Sequence, residues 1–213
     1  FNMKVLIYCS NLYLEYQLIS NLNRENINYK KGYANLDNLN YFKKEIEYVK
    51  PSNIIYFFDK NNNIFENNVN KTINHMTSII KILKFCKVKN IHFTYVNYKT
   101  LFYNINKKLY ISKYNEDNSI YNYNNYLHNL ISYFFNDNLF ININIPFLKR
   151  KQSKFYLKLI TNNTILYDKN YSISNIYEFI PQILIMIQYR FKKNINLFNL
   201  NSINIKSIFE IIQ

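Results

Sequence analysis

The sequence predicts an α/β fold in which a parallel sheet carries helices on both faces and a reduced α-rich C-terminal cap follows. Short apolar runs of strand length alternate along the chain with segments whose apolar residues recur at helical spacing. Such alternation is typical of right-handed crossover units, which build parallel sheets. The length of 213 residues, 48% of them hydrophobic, is enough for one sizeable core. We therefore expect a single compact unit, with the sheet in residues 1–146 and the cap in residues 147–213.

The first part of the chain reads as three strands, each followed by a helix. The strands are predicted at 4–8, 28–33 and 53–58, and the helices at 14–22, 39–50 and 69–83. Pro51 ends the second helix, because a proline ring has no amide hydrogen and clashes with the preceding turn. The third helix is expected to end in a basic turn at 84–89.

The second part continues the alternation more loosely. Strands are predicted at 90–96 and 139–146, and helices at 121–135, 176–191 and 205–212. Residues 139, 141, 143 and 145 are all apolar, which is typical of a strand. A tyrosine- and lysine-rich loop separates the strand at 90–96 from the helix at 121–135.

Composition excludes several kinds of site. Gly32 is the single glycine, and phosphate-binding loops and dinucleotide fingerprints need several. Cys9, Cys86 and the three histidines show no zinc-ligand spacing, so we expect reduced thiols and no metal. No apolar stretch approaches the roughly 20 residues that span a bilayer, and the first residues lack a signal-peptide pattern.

Short segments with a common pattern occur in order along nearly the whole chain. They include Lys4-Val-Leu-Ile-Tyr8, 29–38, 49–52, 86–95, 136–146, 153–159, 176–181, 196–199 and 208–211. In order and spacing they resemble the dTDP-4-dehydrorhamnose reductases, which are nucleotide-rhamnose epimerase/reductases of the extended short-chain dehydrogenase/reductase group. The resemblance implies a Rossmann-like fold, NAD or NADP as cofactor, and reduction of a 4-keto-6-deoxy nucleotide sugar.

The cofactor motif of that family departs from its pattern here. The family has Gly-x-x-Gly-x-x-Gly between the first strand and the first helix, where the pyrophosphate touches backbone amides. Cys9, Leu12 and Glu15 stand at these three positions. Leu12 adds bulk, and the charge of Glu15 would repel phosphates. The resemblance therefore implies no cofactor binding in the family's usual way.

The catalytic motif also departs from the family's pattern. A tyrosine, a lysine four residues later and a preceding serine or threonine protonate and polarise the substrate carbonyl in the family. By spacing these fall on Tyr121, Asn125 and Tyr98, and an ungapped count shifts the first two back by one residue. No lysine occurs in residues 114–148. Since lysine has AT-rich codons, an AT-rich genome does not explain its loss.

Other candidates for chemistry have simpler interpretations. Tyr-x-x-x-Lys also occurs at 95–99 and 103–107, as chance predicts for a chain so rich in both residues. His92 is expected to be a hydrogen-bonded core histidine. For His75 and His128 no carboxylate partner is evident from the sequence. A nucleophilic Cys9 is disfavoured, because Glu15 opposes thiolate formation.

The charge balance suggests an acidic partner. The net charge is +14, from 27 basic and 13 acidic residues. Lys149, Arg150, Lys151 and Lys154 are candidates for binding nucleic acid or an acidic protein by charge neutralisation. The competing interpretation is that AT-rich coding inflates lysine, since Asn, Ile, Lys, Tyr and Phe make up 136 of the 213 residues.

Three functions follow as hypotheses. The first is a catalytically inactive, reductase-like pseudoenzyme without a cofactor, acting as a binding or structural subunit of a larger complex or a virus particle. It would have a protein partner or form a homo-oligomer, in the cytoplasm or a virion. The second is an active NAD- or NADP-dependent nucleotide-sugar reductase with an atypical cofactor site. The third is a basic nucleic-acid-binding module on the same scaffold.

Overall fold

The structure is a computed structural model of the chain. The structure describes residues 3–58, 69–98, 102–105, 108–111, 129–143, 145–147, 170–197 and 202–204. The helices are α1 (Leu12–Arg24), α2 (Leu39–Val49), α3 (Val69–Val88), α4 (129–134) and α5 (Ile176–Gln188). The first strands are β1 (Lys4–Cys9), β2 (Asn28–Lys31), β3 (Asn53–Phe58), β4 (His92–Tyr98), β5 (Phe102–Ile105) and β6 (Lys108–Ile111). The others are β7 (Leu139–Ile143), β8 (Ile145–Phe147), β9 (Asn170–Asn175), β10 (Lys193–Leu197) and β11 (Ser202–Asn204).

Six of the strands form one parallel sheet in the order β10-β7-β4-β3-β1-β2. From β1 the chain first adds β2 on one side and then β3 and the later strands on the other. The strand order therefore reverses at β1, and the crevice beside β1 is the topological switch point of the sheet. The predicted α/β class with a Rossmann-like parallel sheet is confirmed.

Helices cover both faces of this sheet and bury two apolar cores. On one face α1 and α5 contribute Leu18 and Ile183 to a core with Val5 and Ile7. On the other face α2, α3 and α4 pack against alternate residues of the same strands. Because both faces are covered, the strands read as nearly continuous apolar runs.

Four helices are followed directly by strands through a residue with left-handed backbone. These residues are Asn26 (φ 53°), Lys50 (φ 50°), Asn90 (φ 54°) and Arg190 (φ 51°). Glycine is the usual residue in this conformation. Because this chain has a single glycine, other residues occupy these positions. After Asn26, Asn90 and Arg190 the next amide donates to a carbonyl five residues earlier, at 2.9 Å in each case. These turns lie at the amino ends of the sheet strands.

The structure differs from the predicted boundaries in four places. α3 continues through 84–88, so the predicted basic turn is mostly helical and its lysines lie on the helix surface. The predicted strand at 139–146 divides between β7 of the main sheet and β8, which pairs with β9. The predicted loop after β4 contains the antiparallel pair β5 and β6.

The fourth difference concerns the cap. β10 pairs in parallel with β7, and α5 packs beside α1, so the main sheet extends beyond residue 146. A strand that joins a sheet edge is recognised by its partner, which is distant in sequence. The predicted helix at 205–212 lies outside the described residues. No helix in the described part of the chain is long and apolar enough to cross a bilayer.

Candidate functional site

The candidate site lies at the carboxyl end of β1, where the strand order reverses. In open parallel sheets, ligands bind in the crevice at this point. The turn into α1 consists of Cys9, Ser10 and Asn11. The Cys9 thiol donates to the Asn11 carbonyl at 3.4 Å, and the Asn11 side-chain oxygen accepts from the Leu14 amide at 3.2 Å. One of the amides that this helix could offer to an anion is therefore already bonded within the chain.

An ion pair closes the corner between α1 and β2. The Lys31 ammonium lies 2.5 Å from the Glu15 carboxylate, and only 14% of the Glu15 side chain is exposed. The hydrogen bond to Glu15 raises the pKa of Lys31. In dinucleotide-binding folds the end of this strand approaches the ribose hydroxyls. The expected repulsion of phosphates by Glu15 is therefore reduced by Lys31, while the pair itself occupies the corner.

The residues at this turn do not fit a dinucleotide pyrophosphate. Such a group needs glycines, so that phosphate can approach the backbone, and backbone amides that are free to donate. Here Cys9 ends β1, Leu12 begins α1 and Glu15 is engaged by Lys31. Among the described residues, no three His, Cys, Asp or Glu side chains come together in a way that could hold a metal ion.

A second group of contacts fixes the loop that follows β2. The Glu45 carboxylate of α2 accepts from the Tyr8 hydroxyl at 2.7 Å, the Tyr33 amide at 2.8 Å and the Ala34 amide at 2.9 Å. We call this set of contacts the Glu45 latch. Burial, followed by the bond to Glu45, raises the pKa of Tyr8, so the phenol stays protonated. A methyl group at Gly32 would lie 2.3 Å from the Tyr8 ring, which explains a glycine at this position.

A third group joins a carboxylate, an imidazole and a phenol. His75 Nδ1 lies 3.2 Å from the Asp37 carboxylate, and His75 Nε2 lies 3.3 Å from the Tyr56 hydroxyl. The hydrogen bond with His75 lowers the pKa of Asp37. A carboxylate that orients an imidazole can assist proton transfer from the phenol. Here the imidazole is buried, so the three groups link the loop before α2 to α3 and β3.

Sequence reasoning missed the partner of His75 because Asp37 is 38 positions away along the chain. His92 is the buried core histidine that was predicted, with Nε2 donating to the Phe191 carbonyl at 2.8 Å. His128 lies outside the described residues.

The predicted catalytic positions fall at the end of β4 and beyond it. Tyr98 is the last residue of β4. Tyr121 and Asn125 lie outside the described residues, as do the basic candidates Lys149, Arg150, Lys151 and Lys154. Of the two chance motifs, 95–99 begins with a tyrosine that is fully buried, and burial raises the pKa of its phenol well above the usual value. The tyrosine of 103–107 lies in β5, and the lysines of both motifs are outside the described residues.

Asparagines form a ladder across three neighbouring strands, and sequence analysis did not identify it. Asn97, Asn142 and Asn196 are paired in register on β4, β7 and β10. Asn97 donates to Asn142 at 3.1 Å, and Asn142 donates to Asn196 at 3.0 Å and to Asn194 at 3.1 Å. The signal was the alternation of asparagine with apolar residues in the sequence at 141–145 and 194–197. We call these four residues the asparagine ladder.

Comparison with known proteins finds solved structures that share this architecture. No protein-family model and no curated protein matches the sequence. Among solved structures, the UDP-rhamnose synthase of Acanthamoeba polyphaga mimivirus superposes with a TM-score of 0.73 at 16% identity, over 97% of this chain and 78% of that one. The chain has the fold of the nucleotide-sugar reductases.

Two further structures agree with this assignment of the nucleotide-sugar reductase fold. A hypothetical dTDP-4-dehydrorhamnose reductase from Sulfolobus tokodaii gives a TM-score of 0.69 at 18% identity, over 99% of this chain and 81% of that one. A GDP-L-fucose synthetase from Naegleria fowleri gives a TM-score of 0.68 at 14% identity, over 99% of this chain and 82% of that one. The predicted resemblance is therefore confirmed as a shared fold.

Proposed function

We propose that this chain is a reductase-like pseudoenzyme that acts as a binding or structural subunit of a larger assembly. The observation that carries the proposal is the Glu15–Lys31 ion pair beside the capped start of α1. It occupies the corner where a reductase of this fold would receive its cofactor. The sequence supports the same conclusion, because residues 114–148 contain no lysine for the catalytic motif.

A bound pyrophosphate would compete with contacts that the turn already makes within the chain. To receive a pyrophosphate, the turn would have to release the Leu14 amide from Asn11 and separate Lys31 from a mostly buried Glu15. A carboxylate left without its partner in a largely buried position is costly. The negative phosphates would then lie beside that carboxylate. Both effects lower the affinity for NAD or NADP.

The test is a thermal-unfolding titration of the full chain with NADH, NADPH, dTDP-rhamnose and UDP-rhamnose. A ligand at one hundred times its dissociation constant stabilises a protein by about 2.7 kcal/mol. For a chain of this size that corresponds to a rise in Tm of roughly 5–10 °C. We expect no rise with either nicotinamide cofactor. A saturable rise with NADH or NADPH at physiological salt would overturn the proposal and direct attention to reduction of 4-keto sugars.

One control is needed because the protein is strongly basic. Dinucleotides carry several negative charges and can bind lysines anywhere on such a surface. The variant Lys192→Gln/Lys193→Gln removes two exposed lysines that lie far from the β1–α1 turn. A rise in Tm that disappears in this variant comes from these two lysines and not from the cofactor crevice.

A further inference from the structure

The amino ends of the sheet strands carry an excess of positive charge. We call the helix-to-strand turns at this end, with the strand residues that directly follow them, the amino-edge surface. Its described basic residues are Arg24, Lys50, Lys87, Lys89, Arg190, Lys192 and Lys193. Its described acidic residues are Glu25 and Asp137, which pair with Arg24 at 3.1 Å and with Lys87 at 2.7 Å. Lys50, Lys89, Lys192 and Lys193 are exposed and form no ion pair with a carboxylate among the described residues.

A groove of about 500 Å³ opens between α4 and the start of β10. Its lining includes Ser132, Tyr133, Asn136, Lys192, Lys193 and Asn194 and contains no acidic side chain. Both lysines are exposed, and neither forms an ion pair within 4 Å in the described part of the chain. The nearby carboxyl of Asp137 has its pKa lowered by its hydrogen bond with Lys87 and also by the charge of Lys192. A groove lined by cations and neutral polar groups attracts a polyanion.

Exposed aromatic rings accompany these cations. Tyr133 and Phe134 of α4 are 74% and 71% exposed, and their rings meet edge to face at 5.5 Å. Tyr189 and Phe191, which are 71% and 47% exposed, flank Arg190 in the turn before β10. Together these four rings offer apolar surface to a partner beside the cations. Nucleobases stack on such rings, whereas a simple polyanion gains nothing from them.

One residue of the asparagine ladder, Asn194, adds a polar group to the groove. The Asn194 amide donates to the Ser132 hydroxyl at 3.0 Å, and both residues line the groove. Asn194 is itself exposed, and beyond its bonds with Ser132 and Asn142 its amide keeps one N–H and one lone pair for a bound molecule. Amide groups both donate and accept, and they can therefore bond to base edges or sugar hydroxyls.

We propose that the groove and the amino-edge surface around it bind single-stranded nucleic acid. Phosphates would contact Lys192 and Lys193, and unstacked bases would stack on Tyr133 and its neighbours. A duplex keeps its bases stacked on one another and cannot use the rings in this way. The inference does not depend on the cofactor crevice, which lies at the opposite edge of the sheet.

The first test removes charge. Fluorescence anisotropy would follow the full chain binding labelled single-stranded RNA and DNA of equal length, at salt concentrations from 50 to 300 mM. In Lys192→Gln/Lys193→Gln we expect the Kd to rise about ten-fold at low salt. The slope of log K against log salt should become shallower by about 1.4, since each phosphate contact contributes about 0.7 on single strands. Comparing the two oligomers shows which nucleic acid is preferred.

The matched control removes the same charge elsewhere. Lys44→Gln/Lys81→Gln takes two exposed lysines from the middle of α2 and α3. We expect its Kd to change less than three-fold. Equal weakening by both double variants would mean that only net charge matters, and an unchanged Kd in Lys192→Gln/Lys193→Gln would mean that the groove is not used. Either result overturns the proposal.

The second test removes a ring and keeps its apolar volume. Tyr133→Leu should raise the Kd for single strands at least about five-fold, as expected for one lost stacking contact, and leave heparin binding unchanged. Tyr41→Leu, at an exposed position on α2, should have no effect. A Tyr133→Leu variant that binds like the wild type, or a wild type that prefers heparin or duplex to single strands, would overturn the proposal. Thermal unfolding of each variant confirms that it is folded.

Discussion

The six-stranded sheet has a carboxyl edge, where its parallel strands end, and an amino edge, where they begin. The two are held together in different ways. At the carboxyl edge, side chains bond to one another: Glu45 holds Tyr8, Lys31 holds Glu15 and Asp37 holds His75. At the amino edge, backbone turns with left-handed residues join the helices to the strands. The first arrangement uses charged and polar side chains internally, and the second leaves lysines in solvent.

This difference indicates where a partner could bind. In parallel α/β sheets the carboxyl edge normally serves ligands. Here the described polar groups at that edge beside β1 and β3 are largely engaged within the chain, whereas exposed cations and rings gather at the opposite edge. A fold shows where its relatives keep their sites, but the groups that remain available determine what a particular chain can bind.

The largest expected effect breaks the carboxyl edge. Glu45→Ala should lower the free energy of unfolding by about 2–3 kcal/mol, because three donors lose a charged acceptor and the Tyr8 hydroxyl is left buried. Urea unfolding measures this loss. Glu47→Ala, at an exposed position on the same helix, should change it by less than about 0.5 kcal/mol. Similar losses in both variants would show that the hydrogen bonds of the Glu45 latch do not stabilise the folded state.

At the amino edge, Arg190 gives the matching test. Its guanidinium donates to the Asn90 carbonyl at 2.6 Å, to the Asn90 side chain at 3.2 Å and to the Ser52 carbonyl at 3.4 Å, which ties β3 to β4. Arg190→Ala should cost about 1–2 kcal/mol in urea unfolding. Arg190→Gly should cost about 1 kcal/mol less, because glycine tolerates the positive φ. Equal costs would argue against left-handed backbone at this turn.

A pH titration tests the buried histidine of the amino edge. Burial lowers the pKa of His92, and its Nδ1 has no hydrogen-bond partner among the described residues. The unfolded chain therefore binds the proton first as pH falls below about 6.5. Stability should fall through that window, by no more than about 1.4 kcal/mol per pH unit for one proton.

The variant that isolates this effect is His92→Gln, which keeps a donor for the Phe191 carbonyl. The difference in unfolding free energy between wild type and variant should shrink as pH falls from 7.5 to 5. A difference that stays constant would show that His92 has the same pKa in the folded and the unfolded chain.

The smallest expected effect is a gain. Lys50 has φ 50° and no side-chain bond among the described contacts. Left-handed backbone costs a residue other than glycine roughly 1–2 kcal/mol. Glycine avoids this cost, but its loss of conformational entropy on folding costs about 0.5–1 kcal/mol more than that of alanine. Lys50→Gly should therefore stabilise the protein by about 0.5–1 kcal/mol, seen as a Tm higher by roughly 1–4 °C. Lys50→Ala controls for the lost charge and should show no such gain.

Much of the fold could be predicted because it depends on local patterns. The first strands and helices were identified within a few residues, since apolar periodicity and breakers such as Pro51 act over short distances. The sheet position of β10 could not be read in this way, because its apolar residues are few and its partner β7 is about fifty residues earlier. The end of α3 was misplaced because its lysines suggested a turn, while burial of Cys86 keeps the segment helical.

The candidate site was predicted only in part, for the same reason. The positions Cys9, Leu12 and Glu15 followed from the resemblance to the reductase family, which has its glycines there. Their partners did not, because Lys31 reaches Glu15 from another strand and Asn11 acts through its side chain.

By itself the sequence determined the α/β class, the absence of a glycine fingerprint and the net positive charge. These depend on composition and on neighbours along the chain. Only the tertiary structure decided that Glu15 is neutralised, that His75 has a carboxylate, and that lysines from separate turns share one edge. Such pairings join residues tens of positions apart, and the parallel sheet creates them by bringing every helix-to-strand turn to the same end.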